Sequence, residues 1–322
     1  MAVREWLRPK DTPISFFHSK AGDGGLQICQ FTKWIPFLKL RQQERLENFN
    51  HPAFKQHKEH LQELPLKAVK YPEINNESCK TNEEISDKTA KDLYKMLDGR
   101  GLKHAKEVRA IHSWKTDGNK LQRGASFISS VKVHGNLLSM QARAARGRNE
   151  TTMCNAGCNS RASLSHIPQE CSRTHGARIR RHDALVKLVN EKLRNLNFTT
   201  LTEKKIKTTA GLRKPDIIIV NSIESWVIDA QVVNGYDDPE DLHHLKKQYN
   251  NPDIIKWIKD KTGCQSVKFT TITYNWRGIM SKTSANDLID LGITKKDLKI
   301  SDWKESSRNF LNIQYNFFSR AC

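Results

Sequence analysis

Residues Arg213–Tyr249 read RKPDIIIVNSIESWVIDAQVVNGYDDPEDLHHLKKQY. Asp216 stands at the mouth of an apolar run, Ile217, Ile218, Ile219 and Val220, which then turns through Asn221 and Ser222 into a second run that delivers Asp229 between Ile228 and Ala230. A short β-branched run bounded by Pro and Asn is the pattern of a buried strand. The spacing therefore predicts two carboxylates on neighbouring strands. An aspartate taken out of water without a partner either protonates or costs several kcal/mol, so a close pair implies a bound metal or a nearby lysine. Asp238-Pro239 has the form of a helix N-cap followed by proline at the first helical position, and the helix it opens carries Lys246, Lys247 and Tyr249. The plainer reading of the stretch is two strand-end aspartates in an ordinary α/β sheet, since strand ends collect acids in many folds.

Asp, Asp and Lys converging on one point resembles the PD-(D/E)xK nuclease core. The usual core has its lysine two residues after the second acid, where this chain has Gln231. A lysine supplied by the following helix is the arrangement of the restriction-like endonuclease in early-branching, site-specific non-LTR retrotransposons of the ribosomal-DNA type. That resemblance makes Lys246 or Lys247 the catalytic lysine, with Tyr249 as its buttress, and Asp216 and Asp229 the ligands of Mg²⁺.

At 322 residues the chain is long enough for about two domains and a real hydrophobic core. Its formal net charge of +19 favours a polyanionic partner. A membrane-surface role is disfavoured by the lack of a long apolar run or an amphipathic lipid-type helix. The start, MAVREWLRPK, is charged and does not fit a signal peptide, so an intracellular protein is expected. Of the seven cysteines, Cys29, Cys79, Cys264 and Cys322 are isolated while Cys154, Cys158 and Cys171 cluster. That distribution argues for reduced thiols and one metal site, not a disulfide framework.

Cys154, Cys158, His166 and Cys171 supply three thiols and an imidazole within eighteen residues, a donor set that satisfies tetrahedral Zn²⁺ and leaves no open catalytic position. A segment this small draws most of its folding free energy from the metal. The spacing is similar to the CCHC motif that precedes the endonuclease in the same retrotransposons, and the alternative is a chance set of free cysteines. His175 could in principle replace His166 or act catalytically, but its setting, Arg173-Thr174-His175-Gly176-Ala177-Arg178, instead resembles the family's linker into the nuclease.

Upstream, residues 1–70 form a basic helical region. Its R-E-W-L-R-P-K-D-T-P, F-F-H and D-G-G-L wording resembles the end of the reverse-transcriptase thumb in these polyproteins. Tyr236-Asp237-Asp238 lies in a loop leading into a helix and lacks the strand-borne acids of a polymerase, so no reverse transcription is expected of this chain. Residues 71–150 read as a linker with short helices: polar from Tyr71 to Lys91, ambiguous from Gln122 to Ser139, and helical from Leu137 to Arg148 with a basic end, Arg143, Arg146 and Arg148. The knuckle occupies 151–175 and the endonuclease 176–322. The helix entering the latter has an apolar face, Leu185, Leu188, Val189, Leu193 and Leu196, but begins with Arg178, Arg180, Arg181 and His182. Positive charge there opposes the helix dipole, and either a DNA phosphate or Asp183 and water would relieve it. Both arginine groups and His182 are thus candidate nucleic-acid contacts, as is Trp276-Arg277-Gly278, whose glycine equally fits a turn.

Further elements are expected at Pro252–Thr262 (helix), Val267–Thr273 (strand), Ser284–Leu291 and Asp302–Phe318 (helices). The fold class expected is α/β, a mixed sheet flanked by helices, preceded by the zinc knuckle and the basic helical region. The resemblance implies the C-terminal part of a retrotransposon polyprotein. Its activity would be Mg²⁺-dependent nicking of double-stranded target DNA in the nucleus, priming reverse transcription, with element RNA as a further candidate partner. The alternative is a nucleic-acid-binding remnant with a catalytically dead nuclease fold.

Overall fold

The computed structural model of the protein describes residues 11–49, 70–116, 124–245, 250–294 and 297–298. In chain order the elements are α1 (Ile14–His18), α2 (Phe31–Glu47), a hairpin of β1 (Glu73–Ile74) and β2 (Glu77–Ser78), α3 (Asn82–Lys95), a 3₁₀ run over Arg100–Lys115, α4 (Gly124–His134) and α5 (Gln141–Ala144). There follow α6 (His175–Asn195), β3 (Thr199–Thr202), β4 (Ile206–Thr208), β5 (Gly211–Arg213), β6 (Ile217–Val220), β7 (Glu224–Val233), α7 (Pro239–Leu245), α8 (Pro252–Thr262), β8 (Ser266–Asn275) and α9 (Lys282–Asp290). The architecture is mixed α/β, as expected. The helix expected over Asp302–Phe318 lies outside the described residues.

The central sheet has the order β3-β6-β7-β8, antiparallel except for the parallel β7–β8 pair. The crossover between those parallel strands is the α7–α8 segment, as a parallel connection requires. Apolar runs with no alternation are what a sheet covered on both faces demands, and both are covered. On one face α6 packs Leu185, Leu188, Val189 and Leu193 against Ile217, Ile219, Trp226, Ile228 and Ile272. On the other, Ile254 and Ile258 of α8 and Ile206 of β4 meet Ile218 and Val227. Val108 and Ile111 of the 3₁₀ run join the first of these clusters, so the residues preceding the knuckle pack directly on the sheet.

The polar stretch after Tyr71 is not a linker. It folds into the β1–β2 hairpin and α3, whose N-cap Thr81 accepts a hydrogen bond from the Glu84 N–H while the Glu84 carboxylate accepts from the Lys80 N–H. That reciprocal capping starts a helix in a composition that otherwise suggests a loop. Leu93 of α3 then shares a core with Phe16, Phe17, Leu102, Trp114, Val131 and Leu137. The ambiguous region resolves into α4, and the helix expected over Leu137–Arg148 is a single turn, α5.

Within Trp276-Arg277-Gly278, expected as a candidate nucleic-acid contact, the Trp and Arg side chains are buried. Trp276 is fully enclosed, and Arg277, only 3% exposed, donates from Nε to the His134 carbonyl (2.7 Å) and from Nη2 to the Asp98 carbonyl (2.6 Å). Gly235 is required by this packing, because a Cβ there would lie 2.4 Å from the Trp276 ring. The turn that leads from β7 towards α7 is thereby pressed onto the core.

Candidate active site and metal centre

The register of β6 on β7 pairs Ile217 with Ile228, so Asp216, one residue before β6, stands opposite Asp229. Both acids are buried, at 7% and 5% exposure. Asp216 Oδ2 accepts a 2.7 Å hydrogen bond from the Ala230 N–H and lies 3.1 Å from His182 Nε2. Burial pushes the Asp216 carboxyl up, but its hydrogen bonds from His182, Asp229 and the Ala230 N–H outweigh that and hold it below its ordinary value. The same hydrogen bond to Asp216 raises His182 to about 9, against the effect of its own burial. An imidazolium is therefore the cation that accompanies the acid pair. Two buried carboxylates on adjacent strands are hard oxygen donors of the kind that suit Mg²⁺.

Sequence reasoning placed His182 among phosphate contacts and missed this role. The signal was present: His182, Leu185, Val186 and Val189 recur at helical spacing, which puts the histidine on the face of α6 that packs on the sheet. The neighbouring arginines also behave differently from expectation. Arg181 is buried and donates to Gln169 Oε1 (3.0 Å), while Arg178 donates to the Cys171 carbonyl (2.7 Å) and tethers α6 to the knuckle. Arg180 remains exposed.

Around Asp229 the parallel register aligns Thr271 beside it and Thr273 beside Gln231. Gln231 Nε2 donates to Thr273 Oγ1 (2.6 Å) and to the Leu242 carbonyl (3.2 Å), and His243 Nδ1 lies 3.0 Å from Thr271 Oγ1. Gln231, in the position where the usual core has its lysine, thus ties α7 to the strands that carry the site. The N-cap of α7 is as expected, with Asp238 Oδ1 accepting from the Glu240 N–H (2.9 Å). Tyr236-Asp237-Asp238 forms the turn into this helix, and Tyr236 is held by the Asn136 amide. Lys246, Lys247 and Tyr249 lie outside the described residues.

The second cluster is the knuckle. One donor atom from each of Cys154, Cys158, His166 and Cys171 falls within a sphere of mutual distances no greater than 4.8 Å, so the four could hold a metal such as zinc. Sγ of Cys171 is 3.7 Å from that of Cys154 and 3.8 Å from that of Cys158. Both ring nitrogens of His166 are buried without a hydrogen bond among the described residues, a cost that a metal bond removes, and Glu170 lies 3.5 Å from Nδ1, where it can orient the ring. Hydrogen bonds from the backbone and hydroxyl of Ser172 bring the Cys158 thiol down to about 6, favouring the thiolate that a metal needs. His175 is outside this cluster and sits against Arg178 at 3.3 Å.

The basic end of α5 is mostly committed internally. Arg143 pairs with Asp11 and Asp98, each at 2.8 Å, and Arg146 pairs with the same two acids at 2.7 and 3.0 Å. Arg148 is exposed beside Glu150.

An α/β domain with a buried acid pair on adjacent strands, joined to a Cys/His cluster that could hold a metal, is the class of protein these features define. No protein-family model matches the chain. It is 31% identical over 304 residues to the "Retrovirus-related Pol polyprotein from type-2 retrotransposable element R2DM" of Drosophila melanogaster, covering 91% of this chain and 28% of that protein. It is 33% identical over 325 residues to the type-1 retrotransposable element R2 polyprotein of Nasonia vitripennis (99% and 31%), and 30% identical over 314 residues to that of Bradysia coprophila (91% and 34%). The chain is a relative of R2-type non-LTR retrotransposon Pol polyproteins and is consistent with a C-terminal part of one. It spans about a third or less of the length of these curated relatives.

Proposed function

We propose that the chain is the DNA-cleaving part of such a polyprotein: a metal-dependent endonuclease with a PD-(D/E)xK-type core that nicks one strand of a duplex target in the nucleus. The observation that carries this reading is the buried pair Asp216, one residue before β6, and Asp229, within β7, with a histidine cation against the first of them. Kinship with retrotransposon polyproteins supplies the biological setting in which a DNA-cutting site has a use.

Asp216 and Asp229 would hold Mg²⁺, which when bound polarises the scissile phosphate and lowers the pKa of a water. The chain's own groups prepare that site. The Ala230 N–H and His182 keep the Asp216 carboxylate ionised and aimed, and the Gln231 amide, fixed between Thr273 and Leu242, holds α7 against the sheet. Lys246 or Lys247, which follow α7, carry the water-orienting and charge-stabilising role, with Tyr249 beside them. The knuckle and exposed basic residues supply affinity for phosphates.

Asp216→Ala and Asp229→Ala are each expected to slow Mg²⁺-dependent nicking of supercoiled plasmid by at least ~10²-fold, with DNA binding and zinc content retained. Variants that cut as fast as wild type would place the site elsewhere. A wild-type chain that binds DNA yet does not nick it with Mg²⁺ or Mn²⁺ is a binding protein with a dead nuclease fold.

A further inference from the structure

The β4–β5 hairpin is a two-stranded ribbon that enters the candidate site directly, since Arg213, its last residue, is separated from Asp216 only by Lys214 and Pro215. Its register pairs Ile206 with Arg213, Lys207 with Leu212 and Thr208 with Gly211. Residues opposite one another point to the same face, so the ribbon has two unlike sides. The inner side carries Ile206, buried against Ile254 and Ile258 of α8. The outer side carries Lys207 and Leu212, and one pair further on, by continuation of the register, Lys205 and Lys214.

Two observations set this face apart from a solvated charge run. The ribbon is held, not loose: Ile206 anchors its base, and at its tip Asp253 of α8 accepts from both the Thr209 N–H (2.7 Å) and the Thr209 hydroxyl (2.8 Å). Its outer face also keeps Leu212, 56% exposed, among lysines. Lys214 is paired with Glu203 at 2.9 Å, whereas Lys205 and Lys207 make no ion pair among the described residues. A fixed ribbon with cations around an exposed aliphatic side chain matches a DNA groove in charge and shape: phosphates line its edges and apolar sugar and base surfaces its floor.

We propose that the outer face of this hairpin, Lys205, Lys207 and Leu212, is the duplex-DNA contact that seats the scissile strand over Asp216 and Asp229. The lysines bind phosphates, and Leu212 packs in the groove. The inference rests on the endonuclease reading and adds to it the element that grips the substrate.

The test is binding of the full zinc-loaded chain to a labelled DNA duplex across a salt series without divalent metal, alongside plasmid nicking with Mg²⁺. Lys205→Ala/Lys207→Ala is expected to reduce the slope of log affinity against log salt by about 2, roughly 0.9 for each phosphate released. Leu212→Ala is expected to weaken binding about tenfold at every salt concentration with the slope unchanged, because apolar contact displaces no counterion. Lys256→Ala/Lys261→Ala, two exposed lysines on α8, is the matched control and is expected to change the slope by less than half as much. The proposal is overturned if the hairpin double variant keeps the wild-type slope, if the α8 control loses as much, or if wild type shows no salt-dependent duplex binding. Binding that responds to the hairpin variants without any nicking upholds the contact and refutes the endonuclease reading alone.

Discussion

His182 shows how one side chain can define what an acid pair does. Its imidazole, raised to about 9, is linked to Asp216, whose carboxyl is held low. A group whose pKa is raised on folding contributes stability fully below its unfolded value, near 6.5, and loses that contribution as pH climbs through its folded value. The lowered carboxyl contributes above its own unfolded value, near 4, and loses that as pH falls. In the absence of added Mg²⁺, wild type should therefore exceed His182→Ala in stability by most between about pH 4 and 6.5, and the gap should close towards pH 9. Chemical denaturation of both proteins at intervals across that range measures it, and a gap that is constant with pH would show that the pair does not titrate as a unit.

Among the elements, the knuckle is the one whose four grouped donors could hold a metal. Cys154, Cys158 and Cys171 share a cluster with Val133, Leu138, Met140 and Trp276, so the candidate metal site is built into the molecule and is not a bead on a string. Zinc analysis of purified protein should give one ion per chain, and Cys158→Ser/His166→Ala should lose it. Arg178 reaches from α6 to the carbonyl of Cys171, so the double variant should also expose the start of α6 to faster amide exchange. Stoichiometric zinc in the double variant would refute the ligand assignment.

For the whole molecule, a net charge of +19 distributed over most of the chain gives a long-range attraction for polyanions that no single residue controls. Part of that charge is neutralised internally, for Arg143 and Arg146 are spent on Asp11 and Asp98. Affinity for duplex DNA should fall steeply with salt, with a logarithmic slope steeper than about −3, corresponding to several phosphate contacts. A flat salt dependence would rule out a phosphate-dominated interface. The packing of α1, α3, the 3₁₀ run and α4 in one core that reaches Ile279 also makes the segment before the knuckle part of the same body as the sheet. Truncations that remove it should expose the apolar cluster that Val108 and Ile111 share with α6 and α9, and should not free an independently folded sheet domain.

The sequence by itself determined the strands that carry Asp216 and Asp229, the α7 N-cap at Asp238, and the four donors of the metal centre. Each is a local pattern: a β-branched run, a capping dipeptide, a ligand spacing. It did not determine what long-range packing decides. The helix α3 was masked by polar composition because its stability comes from Thr81–Glu84 capping and from burying Leu93 against residues as distant in the chain as Phe16 and Ile279. The basic character of Arg143, Arg181 and Arg277 read as phosphate contact until tertiary structure supplied an acid, an amide oxygen or carbonyls to each. His182 was legible as a position on the packed face of a helix, but its partner sits thirty-four residues on, and only the stacking of α6 against β6 brings imidazole and carboxylate within 3.1 Å. A charge in sequence says nothing about whether water or another residue neutralises it, because that choice is made by the fold.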